Sequence, residues 1–154
     1  MISITVARAE DLAPAKAIAK AAFSELRSVY SPTQTAITNQ PKSTAYVVVK
    51  MGQTVVGTSQ YFDEGDRIYL FDVAVDANHR RQGIARRLID FVSDIARSLG
   101  YKIVSARTIR ETGNVEIFER LGFSVVKEKI AEWCVSDKYP TLHDVYLERL
   151  VTTN

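Results

Sequence analysis

Between residues 73 and 87 the chain runs Val-Ala-Val-Asp-Ala-Asn-His-Arg-Arg-Gln-Gly-Ile-Ala-Arg-Arg. Four arginines, Arg80, Arg81, Arg86 and Arg87, crowd around the single Gly83. The crowding falls where a strand-like pattern ends near Val75 and a helical one begins near Gln82 or Gly83. The first turn of a helix presents unpaired N–H groups and a partial positive charge, so each arginine placed there costs a few tenths of a kcal/mol. A cluster that opposes the dipole makes sense when a polyanion sits against it. Backbone N–H groups, the dipole and guanidinium groups would then converge on phosphate. Gly83 lets the backbone approach such a ligand closely, and Ala85 leaves the next turn unobstructed. The bland alternative is a solvated basic helix start. A P-loop is excluded because no second glycine followed by Lys-Ser or Lys-Thr is present. A dinucleotide fingerprint is excluded because it needs three glycines in six residues.

The elements that must position this run can be read from hydrophobic period. Ile2, Ile4 and Val6 alternate with smaller or polar neighbours and predict a first strand. A helix follows, with Asp11 as its cap, Pro14 in its first turn, and an apolar stripe from Leu12 through Ala15, Ile18, Ala19, Ala22 and Phe23 to Leu26. Residues 31–42 read as a loop with room for a short helix. Residues 44–50, 54–62 and 67–75 are β-rich, separated by turns at Met51-Gly52-Gln53 and Asp63-Glu64-Gly65-Asp66, and predict an antiparallel meander. Ile84, Leu88, Phe91, Val92, Ile95 and Leu99 share one helical stripe that Gly100 stops. Residues 101–106 predict a strand, 114–121 a short helix capped by Asn114, and 123–127 and 144–150 two strands that pair. A meander followed by a β-α-β unit gives the expected fold class, α/β (α+β): a mixed, mostly antiparallel central sheet flanked by helices. Ligands in such sheets sit where neighbouring strands diverge.

The bulk properties bound the class. One domain over residues 1–154 is expected from the 154-residue length. The chain is 46% hydrophobic and 25% charged, ordinary for a globular protein. A net charge of +2 is too small to argue for nucleic acid as the partner. The one cysteine, Cys134, rules out an intrachain disulfide and suits a reducing, cytoplasmic setting. Charged residues among residues 1–23 leave no signal-peptide h-region, and no apolar run is long enough to span a membrane. His143 has no second ligand nearby in sequence, so no metal is expected. His79 reads as a turn residue. Exposed β edges and the segment around Trp133 allow a homodimer.

With these residues in place, the run Arg80-x-x-Gly83-x-Ala85 resembles the Arg/Gln-x-x-Gly-x-Gly/Ala signature of the GNAT acetyltransferases. The resemblance extends back to Val73, Ala74 and Val75 and forward to Phe118-Glu-Arg-Leu-Gly-Phe123, and the element order agrees over nearly the whole chain. It implies an acetyl-CoA-dependent N-acetyltransferase that acylates a primary amine of a small molecule or peptide in a ternary complex. It also implies that the backbone of Val73, Ala74 and Val75 pairs with the pantetheine arm, as a peptide adds to a sheet edge. The amides of Arg81, Gln82, Gly83, Ile84, Ala85 and Arg86, with Arg80 beside them, would hold the pyrophosphate. The helix from Asn114 through Phe118 would flank the thiol end, and Arg120 would reach the adenosine phosphate. Many family members carry tyrosine where this chain has Phe118, and phenylalanine cannot protonate a leaving thiolate. A second reading is therefore a non-catalytic acyl-CoA-binding sensor or scaffold. A third, in which the arginines bind nucleic-acid phosphates, lacks an aromatic platform beside them.

An amine whose ordinary pKa is about 10.4 needs a base at neutral pH. The candidates are Asp72, Glu64 and Glu111. Asp72 sits among Leu70, Phe71, Val73 and Val75, so burial should raise its pKa unless backbone or an arginine satisfies it. Glu64 lies in an acidic turn and reads equally as a solvated residue, and the turn hints at a cationic acceptor. The family segment often has asparagine at the position of Glu111. Tyr30, Tyr61 and Tyr139 are candidates for the acceptor side and otherwise packing residues. Cys134, without an evident base, reads as structural.

Overall fold

A computed structural model describes residues 1–33 and 44–152. Its elements are β1 (Ile2–Val6), α1 (Ala9–Leu26), β2 (Ser31–Pro32), β3 (Ala45–Met51), β4 (Thr54–Asp63), β5 (Ile68–Val75), α2 (Ile84–Ser98), β6 (Ile103–Ile109), α3 (Asn114–Arg120), β7 (Ser124–Ile130), β8 (Cys134–Val135) and β9 (His143–Leu150). Single 3-10 turns, Ala77–His79 and Arg110–Thr112, precede α2 and α3. Seven strands form one sheet in the order β1-β3-β4-β5-β6-β9-β7, in which only β5 and β6 run parallel. The expected mixed, mostly antiparallel sheet is what forms. No helix among the described residues is long and apolar enough to cross a membrane.

Alternation along β3 shows why both faces are covered. Val47 and Val49 point to one face and join Ile84, Leu88, Ile89 and Val92 of α2 in the main core. Val48 points to the other face, where it packs with Ala15 of α1. The three valines are fully buried, so their β-branched run, which has no polar alternation, is the mark of a strand sandwiched between layers. A smaller cluster, Ile109, Ala131, Cys134 and Leu142, fills the space beneath the 131–142 connection.

Several expectations are corrected in detail. Asp11 is not the first cap of α1. Helix α1 begins at Ala9, and Asp11 reaches back from its third residue to accept the Arg8 N–H at 2.9 Å and the Lys50 ammonium at 2.6 Å. Pro14 accordingly lies inside the helix. Asn114 is the first residue of α3 rather than its cap. Gly113, at φ +82°, takes that place, and the Thr112 hydroxyl accepts the Asn114 N–H at 3.2 Å. The loop expected over residues 31–42 lies mostly outside the described residues, but its first two residues form β2, which pairs with β8. Trp133 is half-buried against that small cluster, and its indole N–H donates to the Asp144 carboxylate at 3.0 Å.

Candidate active site

Strands β5 and β6 pair only through Ile68 with Val104 and Tyr69 with Ser105. Beyond Tyr69 they separate. β5 continues along β4 as far as Val75, while β6 continues along β9 as far as Ile109. The fork is therefore in the middle of the sheet, and Val73, Ala74 and Val75 border it. Ala74 and Val75 pair with Thr58 and Gly57 on the β4 side, and no strand of the described residues pairs with them on the other.

The fork coincides with a bulge. Thr58 pairs with Ala74 and Gln60 with Phe71, so Ser59 of β4 faces two residues of β5, Asp72 and Val73. Asp72 adopts φ +56°, a left-handed conformation that costs a non-glycine residue on the order of 1–2 kcal/mol. The turn re-aims the carboxylate. Instead of pointing into the opposite layer, it accepts a hydrogen bond from Gln60 Nε2 at 2.6 Å. There it lines a cavity of about 430 Å³ between α1 and the sheet. Burial pushes the Asp72 carboxyl up to about 6, against the opposing pull of the Gln60 amide. Tyr46, on the same wall, is raised by burial and by the Asp72 charge.

The end of β5 is carried into α2 by Asp76. Its N–H donates to the Val56 carbonyl at 2.8 Å, and its carboxylate accepts from Asn78 N at 3.2 Å and sits 2.7 Å from His79 Nδ1. His79 is thus a turn residue. Arg81 follows at φ +64° and Gly83 at φ +78°; Arg81 and Asp72 are the two left-handed non-glycine residues among those described. Two left-handed positions separated by one residue curl the backbone into a concavity of N–H groups. The first backbone bond of the helix runs from Arg87 N to the Gly83 carbonyl at 3.1 Å, which leaves the amides of Ile84, Ala85 and Arg86 without helical acceptors. A β-carbon built on Gly83 meets no atom within 4 Å, so the mouth of this concavity is open. The backbone shape and donors present fit a diphosphate.

The side chains around the mouth divide. Arg80 turns away to α1, where Glu25 accepts from both its terminal nitrogens at 3.1 and 2.8 Å. Arg86 reaches across to donate to the Arg120 carbonyl at 3.0 Å, which joins the start of α2 to the end of α3. Arg81, Gln82 and Arg87 are exposed. Arg120 folds back along its own helix toward the Glu116 carbonyl at 3.4 Å. Phe118 packs edge-on against Phe123 with ring centroids 5.3 Å apart.

The other two candidate bases are placed differently from Asp72. Glu64 sits in the exposed β4–β5 turn, 3.4 Å from the Ser105 hydroxyl. Glu111 is taken up by His143, accepting its N–H at 2.6 Å and lying 3.0 Å from its Nδ1. Among the described residues no group of three or more His, Cys, Asp or Glu gathers as a metal site. Cys134 is buried, with its thiol pushed up to about 11 by burial. Sequence reasoning missed Gln60 and Tyr46. Both belong to an ordinary strand pattern, and only the bulge twelve residues further on brings Gln60 to a carboxylate. It also missed Gly57, whose added β-carbon would stand 2.6 Å from Ile84 Cγ2.

A strand fork, a re-aimed acid at its apex and an anion-shaped turn into the following helix now stand together. The sequence model of the acetyltransferase (GNAT) family matches residues 12–123. This chain belongs to the acetyltransferase (GNAT) family. Within the family it is similar to human N-acetyltransferase 8, with 34% identity over 85 residues, covering 52% of this chain and 35% of that protein. With human N-acetyltransferase 8B it shares 30% over 111 residues, covering 64% and 47%. This GNAT chain thus spans half or less of the length of the curated relatives it matches. The crystal structure of the ribosomal-protein-S18-alanine N-acetyltransferase from Escherichia coli shares its fold, with a TM-score of 0.70 at 16% identity over 100% of this chain and 96% of that one. So does a Bacillus anthracis protein described as a streptothricin acetyltransferase, solved with acetyl coenzyme A, with a TM-score of 0.62 at 16% identity over 74% and 65%.

Proposed function

We propose that the chain transfers the acetyl group of acetyl-CoA to a primary amine of a small molecule or peptide by direct attack. The observation that carries this reading is the Asp72 bulge at the fork between β5 and β6. It presents a carboxylate raised to about 6 on one side of β5, while the same strand leads into the open N–H concavity at Arg81–Gly83. The family match and the fold shared with a protein solved with acetyl coenzyme A support the choice of donor.

Acetyl-CoA supplies the acyl group as a thioester. The N–H groups of residues 81–86 hold its diphosphate, with the exposed guanidiniums of Arg81 and Arg86 beside them. The free edge of Val73, Ala74 and Val75 takes the pantetheine arm as an added strand, in the fork that β6 leaves open. Asn114 and Phe118 of α3 flank the far side of that fork, and Arg120 lies on the adenosine side. A backbone N–H near Val75 steadies the negative charge on the acyl oxygen. The amine enters from the cavity under α1. Its nitrogen–carbon bond forms as the carbon–sulfur bond breaks, and its proton passes to the Asp72 carboxylate and on to solvent. The thiolate leaves without a proton from position 118, which a thiol of pKa about 8.5 tolerates. A single unpaired cysteine fits work in a reducing compartment such as the cytoplasm.

The test is a calorimetric titration of acetyl-CoA into the wild type and into Gly83→Trp, followed by a free-thiol release screen with pooled amines. The expected outcome is saturable binding to the wild type, loss of at least about 100-fold in the folded variant as the indole fills the concavity, and thiol release that depends on an amine. Equal affinity in the two proteins defeats the site assignment. The second reading, an acyl-CoA sensor, is favoured by the missing hydroxyl at Phe118; saturable binding with no thiol release from any amine would establish it.

A further inference from the structure

Helix α1 lines the Asp72 cavity with Lys16 and Lys20, and Arg27, which caps its C-terminus, joins them. Spacings of four and seven residues place the three on one helical stripe, so they face the cavity together. Some lysines and arginines of this molecule meet carboxylates: Lys50 with Asp11, Arg67 with Glu148, Arg80 with Glu25, Arg149 with Asp90. Among the described residues no carboxylate pairs with Lys16, Lys20 or Arg27. The nearest acid on the same helix, Glu25, is drawn off by Arg80. Arg27 donates to the Tyr30 carbonyl at 3.4 Å and lies 5.1 Å from its ring centroid. Across the cavity the one acid is Asp72, bonded to the Gln60 amide. No ion pair joins any of the three to Asp72 among the described residues, so the cations and the acid line one space without closing on each other. At about 430 Å³ that space suits a small molecule.

We infer that the acceptor is a small primary amine that also carries an anionic group, held by Lys16, Lys20 and Arg27 while its nitrogen faces Asp72. The cationic wall repels a polyamine, which argues against the cationic acceptor suggested by the acidic turn at Asp63, Glu64 and Asp66. The anion is a carboxylate or a phosphate. The inference rests on the transferase reading above, and it adds the charge of the substrate.

Matched acceptors test it by thiol release with acetyl-CoA: phenylalanine against phenethylamine, and phosphoethanolamine against ethanolamine. The expected kcat/KM ratio within at least one pair exceeds about ten in favour of the anionic member, the value of one charge-assisted hydrogen bond. In Lys20→Glu and Arg27→Glu that ratio falls about tenfold or more, and both variants keep the wild-type circular dichroism spectrum. Preference in the first pair alone assigns a carboxylate, and in the second alone a phosphate. Ratios at or below one in both pairs, ratios unmoved by the charge reversals, or release from no member overturn the inference. Titration of acetyl-CoA into the same preparations tells the two failures apart. Saturable binding leaves the transferase reading standing when the ratios fail, whereas no binding removes that reading and the inference with it.

Discussion

The Asp72 carboxyl is held near 6 chiefly by burial, and its backbone is held left-handed by the bulge. Both are stability costs that a mutation can remove. The folded-state value lies above the ordinary carboxylate value of 3.8, so the folded protein binds this proton more tightly than the unfolded chain. Its contribution to stability is present below about 3.8 and is lost as pH rises through about 6. Asparagine removes the charge, keeps an oxygen for the Gln60 amide and tolerates positive φ. Asp72→Asn should therefore raise stability at pH 7 by about 2 kcal/mol in urea denaturation, with little gain at pH 4. The same change should cut kcat by about 100-fold or more, and the wild-type kcat should rise with pH through about 6. A variant that turns over normally would remove Asp72 from its role. Asp72 was legible in the sequence as an acid among apolar strand residues. Its re-aiming was not, because a bulge is decided by how two strands align and not by either one alone.

Among the elements, α2 contributes most to the proposed diphosphate site, and its starting point is fixed by packing as much as by Gly83. Gly57 of β4 lies under its first turn, and a methyl added there would stand 2.6 Å from the buried Ile84 Cγ2. Ile84 cannot swing aside, being enclosed by the main core. Gly57→Ala should cost about 1–3 kcal/mol and, by lifting the first turn of α2, weaken acetyl-CoA binding. Denaturation midpoints and calorimetry on one preparation check both effects. The helix itself was plain in the sequence from Ile84, Leu88 and Val92. Gly57 was not, because a glycine inside a β-rich run shows no sign of what approaches it from another layer. The caps show the same limit. Asp11 and Asn114 were read as caps from their residue type, but the true boundaries follow Arg8 and Gly113.

The molecule as a whole is a sheet nearly divided in two. β5 and β6 share two residue pairs, so the half made of β1, β3, β4 and β5 and the half made of β6, β9 and β7 are joined mainly by what crosses between them. Helix α2 packs on both sides, against β3, β4, β5 and β6, and Arg67 at the foot of β5 bonds Glu148 of β9 at 2.7 Å. Leu88 is fully buried in that layer. Leu88→Ala should cost about 2–5 kcal/mol, lowering Tm by roughly 10 °C, in one cooperative transition rather than two. Two separate transitions in calorimetry would show that α2 does not unite the halves. The β3-β4-β5 order and the β7–β9 pairing could be anticipated from the meander and the final pair. The insertion of β9 between β6 and β7 could not, since nothing local distinguishes it from an edge strand.

The seclusion of Cys134 has a practical side. The residue is 5% exposed and burial pushes its thiol up to about 11, so at neutral pH it is almost wholly protonated and hardly accessible to a reagent. A colorimetric dye such as Ellman's reagent should find no reactive sulfur on the folded protein. The yellow signal of a turnover assay then counts released coenzyme from a flat baseline, and slow growth of that baseline in a control without acetyl-CoA measures unfolding instead.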